Sequence, residues 1–201
     1  MPVSPFTLDD DDKKDDEKDA SPGLEKHLFD ARTVMITGQI EQKMATAVCA
    51  RLLALAHVSS DPITVIVSSP GGHVESGDMI HDTIKFIDAD VNMIGMGWVA
   101  SAGALIYVAA DKKRRFATPN TRFLLHEPSG GAGGQASDIE IQAREIIRMR
   151  DRLNKIFSDA TGQPMDRIAE DTDRDFWMSI EEATKYGLVS KVITSKSQLP
   201  K

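Results

Sequence analysis

A single serine, Ser101, sits near the centre of "GMGWVASAGALIYVAA" (Gly95–Ala110), a stretch almost wholly made of apolar or small residues. Ala100 and Ala102 flank it, with Gly97 and Gly103 close by. Small neighbours around a lone hydroxyl fit a tight strand-to-helix elbow. There another chain can approach the serine, and the free N–H groups of a starting helix face whatever it attacks. The same segment also fits a core serine bonded to a backbone carbonyl. A second stretch, "SSPGGHVESG" (Ser68–Gly77), places the bare backbone of Gly71-Gly72 after an apolar run. Such a turn suits an anion or a developing oxyanion; taken alone, it is first a plain strand-to-helix connection. His126 ends the apolar "FLLHEP" just before a proline, a place that points a side chain into a cleft at a sheet edge or simply fills a structural niche. Asp175 lies in "EDTDRDFWMS" with Glu170, Asp171 and Asp173, interrupted by Arg174, and periodicity does not choose which of them orients a histidine. Serine, histidine, aspartate and two glycine-rich turns together form the set that acyl transfer requires: a nucleophile, a base for its proton, an acid to fix the base's tautomer, and N–H donors for the tetrahedral intermediate.

These side chains need a scaffold, and the pattern supplies one. "TVMITG" (Thr33–Gly38) is a short β-branched run ended by glycine. Residues 41–57 carry Met44, Val48, Leu52 and Leu55 at helical spacing. "ITVIVS" (Ile63–Ser68) is a near-continuous apolar run that predicts a strand buried on both faces. Ile80, Ile84 and Ile87 mark the next helix, and "VNMIGM" (Val91–Met96) the next strand. The Ser101 segment reads as a strand end, a tight turn and a buried helix. "RRFATP" and "TRFLLHEP" are two further strands. A long helix is predicted from Ala136 to about Ser158, with Ile139, Ala143, Ile146 and Met149 on one stripe. Ser179 and Glu182 have capping-box spacing, Gly187 ends that helix, and "LVSKVIT" closes as a strand. This alternation predicts an α/β fold with a parallel sheet flanked by helices.

Composition narrows the function classes. The 201 residues are 41% apolar and 27% charged, an ordinary globular balance with enough chain for one core. Of the net charge of -7, -5 falls in residues 1–21, which hold eight acidic and three basic residues; residues 1–22 are expected to be a disordered acidic tail, and 23–201 one domain. "DDDDK" within that tail also has the form of an engineered cleavage tag. The basic "KKRR" (Lys112–Arg115) is expected to be a solvated turn, so a nucleic-acid surface is not expected. No apolar run approaches membrane-spanning length, and no secretory signal is visible. Cys49 is alone and is expected to be buried; His57, His73 and His81 are expected at the surface or in grooves, and His27 beside the acidic tail. Scattered histidines and one cysteine give no metal-ligand cluster, and no phosphate-binding loop appears, so no cofactor is expected.

Five stretches carry a resemblance. "SSPGGHVESG", "GWVASAGA", "FLLHEP", "GGQASDIEIQARE" and "DTDRDFWMSIEEATKYGLVSKVI" resemble, in order, blocks of the ClpP family, the proteolytic subunits of the ATP-dependent Clp protease. The similarity runs from Thr33 to Thr194, about four-fifths of the chain. It implies a ClpP/crotonase-like fold of repeated β-β-α and βαβ units, with a handle helix protruding at about 128–158. It implies Ser101 as nucleophile, His126 as general base, Asp175 as orienting acid, and the backbone N–H groups of Gly72 and Ala102 as oxyanion hole. Gln135, Asp173 and Arg174 fall on positions linked to oligomerisation, the last two matching a pair that ties ring contact to triad alignment. The resemblance further implies a cytoplasmic serine endopeptidase acting on peptides and unfolded proteins. Its two stacked seven-membered rings would be fed by an AAA+ unfoldase. The chain departs from the family's pattern at Ala102, usually methionine, and at Glu127, usually glutamine. It departs again at Thr64 and Ile66, often tyrosines in the unfoldase groove. At the N-terminus, the acidic tail and "PGLEKHLFDAR" replace the axial loops and helix. Two other readings follow: a structural or regulatory ring subunit that assembles with a ClpP paralogue, and, more remotely, a crotonase-type CoA-thioester enzyme.

Overall fold

The structure is a computed structural model and describes residues 22–131 and 133–200. The expected tail lies outside the described residues except for Pro22, which opens helix α1 (Pro22–Asp30). A helix therefore does precede the first strand, and "PGLEKHLFD" itself forms it. The chain continues through β1 (Thr33–Thr37), α2 (Gln42–Val58), β2 (Ile63–Ser69), α3 (Val74–Phe86), β3 (Val91–Ala100) and α4 (Ala102–Tyr107). Then come β4 (Arg115–Ala117), β5 (Arg122–Leu125), α5 (Ala136–Thr161) and α6 (Met165–Thr172). The last elements are β6 (Phe176–Met178), α7 (Ile180–Tyr186) and β7 (Lys191–Val192). α6 and β6 have no counterpart in the sequence reading, and the closing strand is only two residues long.

The strands form one sheet in the order β1-β2-β3-β4-β7, with every neighbouring pair parallel. β3 serves two partners. Met93–Gly95 pair with β4, while Trp98–Ala100 pair with β5. Between them the register against β2 slips, and Gly97 takes φ 66°. A residue with a side chain resists that left-handed backbone, so glycine is where a strand can change direction this way. The slip sends the end of β3, and with it Ser101, towards β5.

The core lies on one face of the sheet, under α2, α3 and α4. On β2 the buried positions alternate: Ile63, Val65, Val67 and Ser69 point into the core, while Thr64, Ile66 and Ser68 are half-buried. The expectation of a strand buried on both faces is corrected accordingly. Among the described residues the second face carries a small cluster of Ile94, Phe116 and Ile193, against which Ile66 rests. Tyr107 anchors α4 by an edge contact with Phe123 at 5.1 Å and by donating its hydroxyl to the Phe116 carbonyl at 2.8 Å.

"KKRR" is solvated only at Lys112 and Lys113, while Arg114 is half-buried and Arg115 buried. Arg115 is 1% exposed and donates to the Ala160 carbonyl, while Lys112 donates to that of Thr161. Both cations meet the carbonyl end of α5, which has no basic residue in its own last turn. Arg114 binds Asn92 and Asp90. His81 is likewise buried rather than superficial, with Nδ1 against Asp82, whereas His27, His57 and His73 are exposed. Cys49 is buried, and burial pushes its thiol pKa up. The predicted capping box at Ser179 and Glu182 is present, and Gly187 closes α7 at φ 95°.

Candidate active site

Ser101 occupies the single residue between β3 and α4, at φ 54° and ψ -123°. A side-chain-bearing residue there costs on the order of 1–3 kcal/mol and needs its surroundings to hold it. They do: the Ser101 N–H donates to the Leu124 carbonyl on β5, and its carbonyl accepts from Ala104 and Leu105 in the first turn of α4. The core-serine alternative is thereby set aside, because its hydroxyl bonds a side chain instead. Ser101 Oγ lies 2.8 Å from His126 Nε2.

His126 directly follows β5, and Asp175 directly precedes β6. These two strands are antiparallel, with Leu125 opposite Phe176. The next pair in that register is His126 and Asp175, and their Nδ1 and Oδ1 atoms are 2.9 Å apart. Asp175 thus bonds the histidine, while its neighbours in the acidic cluster turn elsewhere. Asp171 takes Arg167 and the Tyr186 hydroxyl, and Asp173 faces Arg174. The Glu127 carboxylate faces Arg150 at 3.9 Å, so the added acid beside His126 has its own partner.

The Gly71-Gly72 turn lies against the elbow. A Cβ on Gly71 would stand 2.6 Å from Ser101 Cβ, and one on Gly72 would stand 2.3 Å from the Ile40 carbonyl oxygen. Only bare backbone fits between β1, β2 and the serine. The turn is strapped by Ile40 N–H to Gly71 O and by His73 N–H to Ile40 O. Those bonds use the Gly71 carbonyl and the His73 N–H, and among the described residues none accepts the Gly72 N–H. Ala102 stands first in α4, where an N–H has no intrahelical partner. Beside Gly72 opens a cleft of about 380 Å³ with Val74, Pro128, Ile141, Ile146 and Met149 in its wall. Two members of the predicted α5 stripe, Ile146 and Met149, therefore face this cleft, whereas Ile139 is exposed.

Gln135, Asp173 and Arg174 are not gathered with these groups. Gln135 precedes α5 at its N-cap, and Arg174 is exposed and donates to the Asp173 carbonyl. Among the described residues no cluster of three or more His, Cys, Asp or Glu side chains could hold a metal ion, and no helix is long and apolar enough to cross a membrane. What the arrangement can do is relay a proton from a serine through a histidine held by a carboxylate, beside two N–H donors. This is the machinery of acyl transfer.

The Clp protease family matches residues 17–196. The chain belongs to that family. An ATP-dependent Clp protease proteolytic subunit 3 from Rhizobium meliloti (strain 1021) is 60% identical over 95% of this chain and 98% of its own length. The proteolytic subunit 2 from Pseudomonas aeruginosa is 54% identical over 92% and 97%. Among solved structures, ClpP1 from Listeria monocytogenes superimposes with a TM-score of 0.80 at 49% identity, covering 88% of this chain and 99% of that one. As a Clp-type peptidase with the ClpP fold, the chain joins a family of oligomeric rings that work with Clp-type ATPases.

Proposed function

We propose that the chain is a serine endopeptidase of Clp type. It cleaves peptide bonds inside a chamber of two seven-membered rings, in the cytoplasm, on polypeptides unfolded and delivered by an AAA+ partner. The observation that carries the reading is the unbroken hydrogen-bonded line from Ser101 Oγ through His126 to Asp175.

Each step follows from that line. His126 Nε2 accepts the Ser101 proton as Oγ bonds the carbonyl carbon of the substrate. The Asp175 carboxylate accepts the Nδ1–H, holding the productive tautomer and balancing the imidazolium charge. Negative charge moves to the former carbonyl oxygen, which the Gly72 and Ala102 N–H groups receive. Collapse breaks the C–N bond, and the imidazolium returns its proton to the departing amine. Water then attacks the acyl-serine with His126 again as base, which releases the acid and restores Ser101. The cleft beside Gly72 takes an apolar side chain next to the scissile bond. Gln135, Asp173 and Arg174 lie on exposed surface and are assigned to contacts between subunits. The acidic N-terminal stretch is a tail to the peptidase domain, whose described part opens with α1 at Pro22.

The assembled triad does not favour a purely architectural subunit, and a CoA-thioester enzyme has no use for a serine held by histidine and aspartate. The test is labelling with a serine-reactive fluorophosphonate, read as intact mass, together with hydrolysis of a short fluorogenic peptide. One adduct and Ser101-dependent turnover are expected. Wild-type turnover by Ser101→Ala would overturn the assignment.

A further inference from the structure

Asp175 is carried by a segment with little support. Asp173, Arg174 and Asp175 are all exposed. The nearest fully buried residue upstream is Thr172, at 1% exposure, and the next downstream is Met178, at 2%. Thr172 is tied to both arms of the triad through the backbone. It stands three positions before Asp175 in the chain, and its carbonyl accepts the N–H of Glu127, the residue after His126, at 2.7 Å. Any shift of Thr172 therefore moves the carboxylate and the imidazole relative to each other.

A second helix holds Thr172 in place. Asn154 of α5 is 4% exposed, and its Oδ1 lies 3.0 Å from Thr172 Oγ1. The same hydroxyl lies 2.8 Å from the Ile168 carbonyl. One proton serves one acceptor fully. When the hydroxyl donates to Ile168, the Asn154 amide turns and donates through Nδ2 instead. In both arrangements the two buried side chains bond each other; removal of the Thr172 hydroxyl leaves the Asn154 amide without this partner, and removal of the Asn154 amide leaves Thr172 bonded only within its own helix, to Ile168, and no longer tied to α5. Asn154 is well anchored itself. Leu153 and Phe157 beside it are buried, and Arg152 in the same turn grips Asp78 of α3 with two bonds, at 2.5 and 2.7 Å.

We propose that Asn154 is a positioning residue for the peptidase: acting through Thr172, it sets the alignment of Asp175 with His126. This rests on the peptidase reading of Ser101. The residue reaches no substrate, so its removal changes the chemical step and leaves substrate binding alone. A misplacement of about 1 Å at reacting groups costs roughly 100-fold in rate.

The experiment compares wild type, Ser101→Ala, Asn154→Leu, Thr172→Val, Thr172→Ser and the Asn154→Leu/Thr172→Val double variant, each taken as the assembled fraction from size exclusion. Steady-state hydrolysis of a short fluorogenic peptide gives kcat and KM, and fluorophosphonate labelling gives the reactivity of Ser101. Expected for Asn154→Leu and Thr172→Val is a fall in kcat of roughly 10- to 100-fold with KM within about twofold. Thr172→Ser, which keeps the hydroxyl, stays near wild type, and the double variant is no worse than the poorer single one. Wild-type kcat in Thr172→Val and Asn154→Leu overturns the proposal. So does a change confined to KM, an equal loss in Thr172→Ser, or effects that multiply in the double variant. Ser101-dependent wild-type turnover alongside any of these leaves the peptidase reading standing. Turnover that survives Ser101→Ala removes that reading and this proposal together.

Discussion

His126 and Asp175 form the rung that follows Leu125 and Phe176 on the antiparallel ladder between β5 and β6. The catalytic hydrogen bond is thus an extension of strand pairing. Backbone register places the two side chains opposite each other before any side-chain preference acts.

That placement gives the first prediction. Asp175→Asn keeps the rung and nearly the same shape, but removes the charge and permits the wrong histidine tautomer. Peptide hydrolysis is expected to fall roughly 10³- to 10⁴-fold. Assembly by size exclusion should be unchanged, since the asparagine keeps the size and shape of the side chain. A fall of less than about tenfold would show that the carboxylate acts only as a spacer.

The close approach of the Gly71-Gly72 turn gives the second. Gly71→Ala would press a methyl group to 2.6 Å from Ser101 Cβ at φ +100°, in a turn already strapped to Ile40. Fluorophosphonate labelling is expected to slow by about 100-fold or more as the elbow is pushed aside. Gly23→Ala, where nothing lies within 4 Å, is the matched control and should label at the wild-type rate.

Arg115 gives the third. It is among the largest fully buried side chains, yet its Nε and Nη1 have no hydrogen-bond partner among the described residues, and burial lowers the pKa of its guanidinium. Volume should therefore matter more than charge. Arg115→Ala is expected to lose on the order of 2–4 kcal/mol in chemical denaturation, through the cavity it opens and the lost bond to the end of α5. Arg115→Met, which fills most of that space without burying charge, should lose less than about 1.5 kcal/mol. Equal losses in the two variants would show that charge decides.

Local chemistry made part of this molecule readable. The "VASAG" stretch reads as strand, turn and helix because small residues and a lone hydroxyl leave few alternatives, and β3 indeed ends at Ala100 with α4 starting at Ala102. The Ser179 and Glu182 box is visible because both partners lie within one helical turn. What escaped depends on distant chain. Asp175 cannot be told from Asp173 or Asp171 without the pairing of β6 to β5, and β6 is three residues long. The eight-residue α6 is too short for periodicity to stand out. Arg115 is polar by type, and its burial follows from the carbonyl end of a helix 45 residues further along. The one-sided burial of β2 reflects which helices cover which face, which a run of valine and isoleucine does not encode.

The brevity of β6 also bears on how the enzyme fails. Among the described residues it is the outermost strand of its branch of the sheet and pairs only with β5, and the acid of the triad directly precedes it. Short edge elements open at lower free energy than the core strands beneath them. Hydrolysis should therefore fade on warming before the buried strands β1 to β3 release, giving an inactivation midpoint below the melting temperature of the fold. On cooling below that midpoint the ladder should re-form and activity return with it, a recovery that a heat-and-cool cycle followed by peptide hydrolysis would read.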